Sequence, residues 1–241
     1  MPKPKEPADM QNIHENLYQF TAYIPEMDFN IHQYLLAAEP AIAFAAGTQG
    51  AAEKNLPAIL SVLRGRPLKY IFVSHMESDE CGGLSALLRA YPEACVLCSP
   101  LCARELPGFG FGGRIRPCRG GDILEDGGLR LRFFDYPSEV HLQDGLLCFE
   151  EGSGVFYSAD LMRQMGDGAG RLRDGGWQTE VANIGLASVP SKSRLQRLQK
   201  TLLEVSPRFI AVGHGFCVAL QRAERAQAAD VFPFQSGQDT V

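Results

Sequence analysis

The sequence predicts a layered α/β fold. Short apolar or alternating segments recur along the chain. Helix-like segments fall between them, and several apolar segments are followed at once by a chemically reactive residue. Apolar strands flanked by helices favour sheets covered on their outer faces. At 241 residues the chain is long enough for a substantial buried core. No linker or short-period repeat divides it, so residues 13–241 are read as a single domain. Residues 1–12, opening on Met1-Pro2-Lys3-Pro4-Lys5-Glu6-Pro7, read as a short disordered arm.

Residues 17–24, 31–37 and 41–46 read as strands, each apolar or alternating and separated by turn residues. Residues 51–63 carry apolar side chains at helical spacing. A buried strand follows over 69–74, then a helix from Leu84 that Pro92 stops. Further strands are expected at 94–98, 129–135, 145–150 and 154–159. Residues 161–176, rich in Gly, Arg and Met, read as a long loop or lid; such loops are usually functional. A helix over 194–205, a strand over 208–212 and a last helix over 220–229 complete the prediction.

Composition narrows the function. The chain is 45% hydrophobic and 21% charged, with a net charge of −5, which favours neither nucleic acid nor an anionic membrane. Apolar runs fall short of the roughly 20 residues of a membrane span, and the N-terminus lacks a signal-peptide core. Seven cysteines, an odd number without an export signal, are read as reduced thiols in a cytoplasmic protein. Cys95, Cys98 and Cys102 have a CxxCxxxC spacing, but Cys95 and Cys98 sit in an apolar strand-like run where free Cys acts as a small hydrophobe. Gly108 to Gly113 is glycine-rich without the Lys-Ser/Thr of a phosphate loop. The chain also lacks a G-x-S-x-G elbow.

The chemistry concentrates in Ser74-His75-Met76-Glu77-Ser78-Asp79-Glu80-Cys81-Gly82-Gly83, directly after Tyr70-Ile71-Phe72-Val73. Four ionisable side chains fall within six residues of a strand-to-helix loop. Glycines at 82 and 83 would let the following helix start close to a bound ion. Elsewhere His141 precedes a strand, Asp160 ends one (Val155-Phe156-Tyr157-Ser158-Ala159-Asp160), and His214 follows another (Phe209-Ile210-Ala211-Val212-Gly213-His214). A lone His or Asp at a strand end is more often a capping residue than a ligand. Four such ends on one sheet edge, however, could converge on one metal site. His32, in Phe29-Asn30-Ile31-His32-Gln33-Tyr34, is either a support beneath that site or a satisfied core histidine. His14 reads as solvated, and Trp177, the only tryptophan, as packing under the lid.

His75, Asp79, His141, Asp160 and His214 occur in the order of the metallo-β-lactamase signature, and the chain resembles that superfamily. Glu77, where the signature has its second His, resembles the flavodiiron and oxygen-binding diiron branch. The resemblance covers nearly the whole chain and implies a four-layer αββα sandwich. It implies one metal on His75, Glu77 and His141, a second on Asp79 and His214, and Asp160 bridging. Glu80 departs from the usual His. It either binds the second metal or turns away and leaves an open position. Three imidazoles with three carboxylates suit two iron ions, oxo- or hydroxo-bridged, over zinc or manganese. The implied function is binding and reduction of O2 or NO, or sensing of O2. Flavodiiron relatives carry a flavodoxin domain after this one. The chain ends soon after His214, so no flavin is expected on it. Electrons would come from a separate rubredoxin- or flavoprotein-like donor, and a homodimer is implied by analogy. Glu80 or His32 would relay protons. The rival reading is a dinuclear zinc hydrolase cleaving a thioester, lactone or phosphodiester.

Overall fold

Strands β4 (Ala41–Phe44) and β5 (Leu68–Phe72) explain why the sequence reads as continuous apolar runs rather than alternating ones. Both lie inside a sheet buried on its two faces. Ile42, Phe44, Tyr70 and Phe72 face the second sheet, while Ala41, Ala43, Leu68 and Ile71 face helices. The structure, a computed structural model, describes residues 10–136 and 145–221.

Among the described residues there are two seven-stranded sheets. The first contains β1 (Met10–His14), β2 (Leu17–Ile24), β3 (Phe29–Leu36), β4, β5, β6 (Cys95–Cys98) and β7 (Arg114–Pro117), in sequence order. It is antiparallel as far as β4 and parallel from β4 to β7. Helices α1 (Gln49–Leu63), α2 (Ser78–Cys81), α3 (Leu84–Ala90) and α4 (Pro100–Glu105) belong to this half. Ile59 and Leu63 of α1 and Leu84 and Leu87 of α3 pack on its outer face.

The second sheet holds β8 (Ile123–Asp126), β9 (Leu129–Tyr136), β10 (Gly145–Glu150), β11 (Val155–Ala159), β12 (Leu172–Gly175), β13 (Phe209–Val212) and β14 (Cys217–Leu220). Their spatial order is β12-β14-β13-β11-β10-β9-β8. Helices α5 (Trp177–Ala182) and α6 (Lys192–Leu202) bring Trp177, Val181, Leu195, Leu198 and Leu202 to its core. Between the sheets, Tyr34, Phe44, Phe72, Phe133 and Tyr157 interdigitate as aromatic pairs. The order helix, sheet, sheet, helix is the predicted αββα sandwich.

Several short elements differ from the expectation. Residues 161–176 are not all loop, because β12 pairs in parallel with β14. Its sequence, Leu-Arg-Asp-Gly, has no strand pattern and is held by a partner more than 40 positions later. Leu220, expected to open a helix, instead ends β14; residues 222–229 lie outside the described residues. Residues 10–12, assigned to the N-terminal arm, are part of β1, which pairs with β2. Residues 1–9 lie outside the described residues. His14 is not simply solvated: its ring stacks on Phe209 at 4.7 Å and bonds the Ser153 carbonyl. Cys102 lies in α4 rather than beside Cys95 and Cys98 in β6, and all seven cysteines are free. No helix of the described residues is long and apolar enough to cross a membrane.

Candidate metal centre

Parallel strands deliver their C-terminal ends to one edge, and the reactive residues lie there. Strand β5 runs through Val73 and Ser74 into His75 and the loop before α2. Strand β11 ends at Asp160, and β13, parallel to it, at Gly213 and His214. The second sheet aims Asp160 with a local irregularity. The β11–β13 register shifts between Tyr157 and Ala159, and Ala159 is left-handed with φ +44°. A residue with a side chain adopts that region at a cost of roughly 1 kcal/mol or more, a strain common at functional sites.

The side chains meet in two linked groups. His75 Nε2 lies 3.6 Å from Glu77 Oε2 and 3.9 Å from Asp160 Oδ2. One donor atom from each of these three residues falls within 4.8 Å of the others. His214 Nε2 lies 3.1 Å from Asp160 Oδ1 and 3.5 Å from Asp79 Oδ2. Asp160 therefore turns one carboxylate oxygen to each group. Donors about 2.1 Å from a shared cation sit roughly 3–3.5 Å apart; among the described residues the first group brings three donors into mutual reach, and in the second His214 lies within that range of each carboxylate. The second has the shorter distances, 3.1 and 3.5 Å against 3.6 and 3.9 Å. His141 lies outside the described residues.

Protonation in the site follows the charges that surround each group. Burial alone would lower the His75 pKa, but Glu77, Glu80 and Asp160 outweigh it and raise it to about 9. Burial opposes the charge on His214 too, yet Asp160 and Asp79 raise its pKa. Glu77 is held low by His75 despite its partial burial. Burial pushes Asp160 up, but His214 and His75 outweigh it and hold it low. Asp79, with burial dominant, is raised. The carboxylates thus favour positive charge on both imidazoles, a charge that a metal cation would supply instead. The donor set, imidazole mixed with carboxylate, fits hard to borderline divalent ions such as iron.

Among the described ligand candidates, supporting contacts fix His214 most fully. Its Nδ1–H donates to the Asn30 carbonyl at 2.7 Å, which leaves Nε2 for the site. Phe29 stacks on its ring at 4.2 Å. The Gly215 N–H donates to Asn30 Oδ1 at 2.6 Å. His32 completes this bracket from below. Its Nε2 bonds the Gly215 carbonyl and its Nδ1 the Thr21 hydroxyl, each at 2.8 Å. Burial drives its pKa down to about 4, so Nε2–H donates to Gly215 and Nδ1 accepts from Thr21.

Glu80 is buried between the sheets. Its Oε2 accepts from the Ser74 N–H at 3.1 Å and its Oε1 from the Tyr157 hydroxyl. Burial pushes its pKa up to about 7, against the pull of His75, Tyr157 and Ser74. The Glu80 carbonyl accepts from Ala46 N–H at 2.7 Å, and Gly83 N–H donates to Gly47 at 2.6 Å. A Cβ on Gly83 would collide with the Ala46 carbonyl, so glycine lets the ligand loop press against the end of β4.

Asn30 and Tyr157 were not singled out in the sequence. Asn30, His32 and Tyr34 share one face of β3 and are all buried. A polar stripe at the inward positions of a strand is the signal that could have found Asn30. Tyr157 reads as an ordinary core aromatic and gives no such signal.

The site thus occupies the rim of a four-layer αββα sandwich, the metallo-β-lactamase fold. More narrowly, the fold is that of flavodiiron cores. The flavodiiron core of Flv1 from Synechocystis sp. PCC6803 superposes with a TM-score of 0.71 over 90% of this chain and 58% of that one, at 18% identity. Rubredoxin oxygen:oxidoreductase from Desulfovibrio gigas superposes with a TM-score of 0.67 over 87% of this chain and 57% of that one, also at 18% identity. In sequence, the chain is 25% identical over 164 residues to coenzyme F420H(2) oxidase of Methanothermobacter marburgensis, covering 65% of this chain and 38% of the oxidase. It is 32% identical over 136 residues to hydroxyacylglutathione hydrolase of Cupriavidus taiwanensis, covering 54% of this chain and 50% of the hydrolase. The chain therefore spans half or less of the length of these two curated relatives. No protein-family model matches it.

Proposed function

We propose that the chain is a non-haem diiron protein that binds O2 or NO and reduces it with electrons from a separate donor. The observation that carries this reading is the Asp160 carboxylate, shared between a His75–Glu77 group and a His214–Asp79 group. Glu77 supports iron, since zinc sites favour nitrogen and sulfur donors whereas imidazole with carboxylate suits non-haem iron. A pair of iron ions, when bound, supplies reversible electron exchange and a coordination position for a diatomic gas.

The chain's own residues hold and orient. His75, Glu77 and His141 would hold one ion, and Asp79 and His214 the other, with Asp160 available to both. Glu80 would not hold the second ion, because both of its oxygens accept from Ser74 and Tyr157. His32 is neutral with both ring nitrogens bonded, so it braces Gly215 beside His214 rather than relaying protons. The likeness to an F420H(2) oxidase and to an anaerobic nitric oxide reductase flavorubredoxin of Aliivibrio salmonicida, 27% identical over 100 residues, supports the same chemistry. We further propose that residues 13–241, with residues 10–12 of β1 added, act as one folded domain.

One observation favours a second reading. The 32% identity to a hydrolase over 136 residues is consistent with a dinuclear zinc centre. Metal analysis of protein made with iron and zinc both supplied separates the two. Two irons per chain, with O2 taken up by the anaerobically reduced protein, is the expected result. Two zincs and no oxygen reactivity would overturn the redox reading.

A further inference from the structure

Gln33 and Asn55 are buried amides outside the set of ligand candidates. Gln33 shares the outer face of β3 with Leu35, opposite Asn30, His32 and Tyr34. Asn55 lies in the middle of α1. Its Nδ2 donates to Gln33 Oε1 at 2.5 Å. Replacing both members of a buried polar pair by apolar groups of the same shape can be neutral or stabilising. An amide pair in an apolar layer therefore calls for a role beyond stability, and its geometry supplies one.

The pair rests on Gly47. The Gln33 amide fills the space that a Cβ on Gly47 would occupy. Gly47 is left-handed at φ +71° and Ala45 at φ +61°, so the chain bends sharply on either side of Ala46 as it leaves β4 for α1. A residue with a side chain persists in that region only when its surroundings impose it. Ala45 N–H donates to the Phe72 carbonyl at 3.0 Å and Gln33 covers Gly47, so the bend is pinned at both ends.

That bend grips the ligand loop. Ala46 N–H donates to the Glu80 carbonyl at 2.7 Å, and the Gly47 carbonyl accepts from Gly83 N–H at 2.6 Å. These two bonds anchor the C-terminal end of α2. Glu77 stands at its other end, where its carbonyl accepts the N–H groups of Glu80 and Cys81 at 3.1 and 2.9 Å and the Cys81 thiol at 3.1 Å. Asp79 lies within the same helical turn. Direct contacts therefore run from Asn55 to the loop that carries Glu77 and Asp79: amide to amide, amide to Gly47, then backbone to backbone.

We propose that Gln33 and Asn55 are positioning residues: their hydrogen bond fixes Gly47 and thereby sets where the ligand loop holds Glu77 and Asp79. The proposal rests on the metal-centre reading above. Apolar residues of equal volume would fill the same space, but without a directional bond the side chain over Gly47 would be free to change rotamer. Carboxylates on a loosened loop must be ordered when an ion binds, which weakens affinity. Asp160 and His214 hang from the second sheet and lie outside this clamp.

The test is the Gln33→Met/Asn55→Leu double variant of the full chain, read by Fe(II) affinity in anaerobic chelator competition, with Zn(II) as a second arm. The metal-free variant is expected to unfold near the wild-type denaturant midpoint, since an apolar pair replaces a polar one. It is expected to bind the ion about tenfold more weakly, as when groups behind a ligand are removed. Hydrogen exchange at the Ala46 and Gly83 amides of the metal-free variant should rise severalfold, and that of β9 should not. Wild-type affinity in the double variant would overturn the proposal, as would unchanged exchange at Ala46 and Gly83. Leu202→Ala opens a cavity under α6, in the other half of the fold, and should lower the midpoint at wild-type affinity. An equal loss of affinity there would mark a general effect of stability and overturn the proposal too. Asn55→Ser, whose hydroxyl is too short to reach Gln33, carries the same expectations for affinity and exchange should the double variant not fold. A wild-type chain that binds neither ion would refute the metal reading instead, and the exchange rates then decide the clamp alone.

Discussion

His32 offers a quantitative test of the bracket beneath His214. Its imidazole is buried and neutral, with a pKa lowered to about 4 from the ordinary 6.5. Between those values the unfolded chain binds a proton that the folded chain refuses. Stability from this group is therefore complete above pH 6.5 and is lost as pH falls toward 4. At 1.36 kcal/mol per pH unit the full effect is about 3 kcal/mol, of which about 2 kcal/mol is gone by pH 5. The perturbation is His32→Gln in the metal-free chain, followed by urea unfolding at pH 7, 6 and 5. Removing the ring costs about 1–3 kcal/mol at pH 7, since the Thr21 hydroxyl and Gly215 carbonyl lose a buried partner. It should also remove the His32 share of the acid sensitivity. His75, His214 and Glu80 titrate in both proteins, so the difference between the two curves reports His32 together with its coupling to His214. Parallel curves from pH 7 to pH 5 would refute a buried, neutral His32.

Asp160→Ala should empty both halves of the centre, while His75→Ala should empty one, as read by metal content per chain; unchanged iron in Asp160→Ala would contradict a shared carboxylate. Glu80→Gln should leave metal stoichiometry unchanged, because the carboxylate faces Ser74 and Tyr157 rather than the ions; a fall of one metal per chain would make it a ligand. Tyr157→Phe should cost about 1–3 kcal/mol of stability by stripping a buried carboxylate of a donor, and a denaturant midpoint equal to wild type would count against that bond. Metal uptake should weaken by up to about tenfold per pH unit below about 9, because the cation displaces the His75 proton; a flat profile in chelator competition between pH 6 and 8 would show that proton to be absent.

The sequence made the long buried strands and the helix before β5 readable, because their patterns are local. Strands β7, β8 and β12 were not readable, being four residues each, with half or more of those residues charged, Pro or Gly. Their pairing is supplied by distant partners. At the site, residues that follow strands were visible as candidates, since parallel strands bring their ends to one edge. The orientation of Glu80 was not visible. It is decided by Tyr157, 77 positions away, whose hydroxyl holds the carboxylate in the core. The bracket from Asn30 to Gly215 was hidden for the same reason, spanning 185 positions.

His75 hangs from one sheet, whereas Asp160 and His214 hang from the other. An ion gripped by His75 and Asp160 is consequently a rivet through both leaves of the protein, set at one lip. Without it, that lip is free to breathe while the opposite margin stays shut. The amide protons of Ser74 and Leu146 should then exchange with solvent faster in chelated protein than in loaded protein, and those of β8 at an unaltered pace.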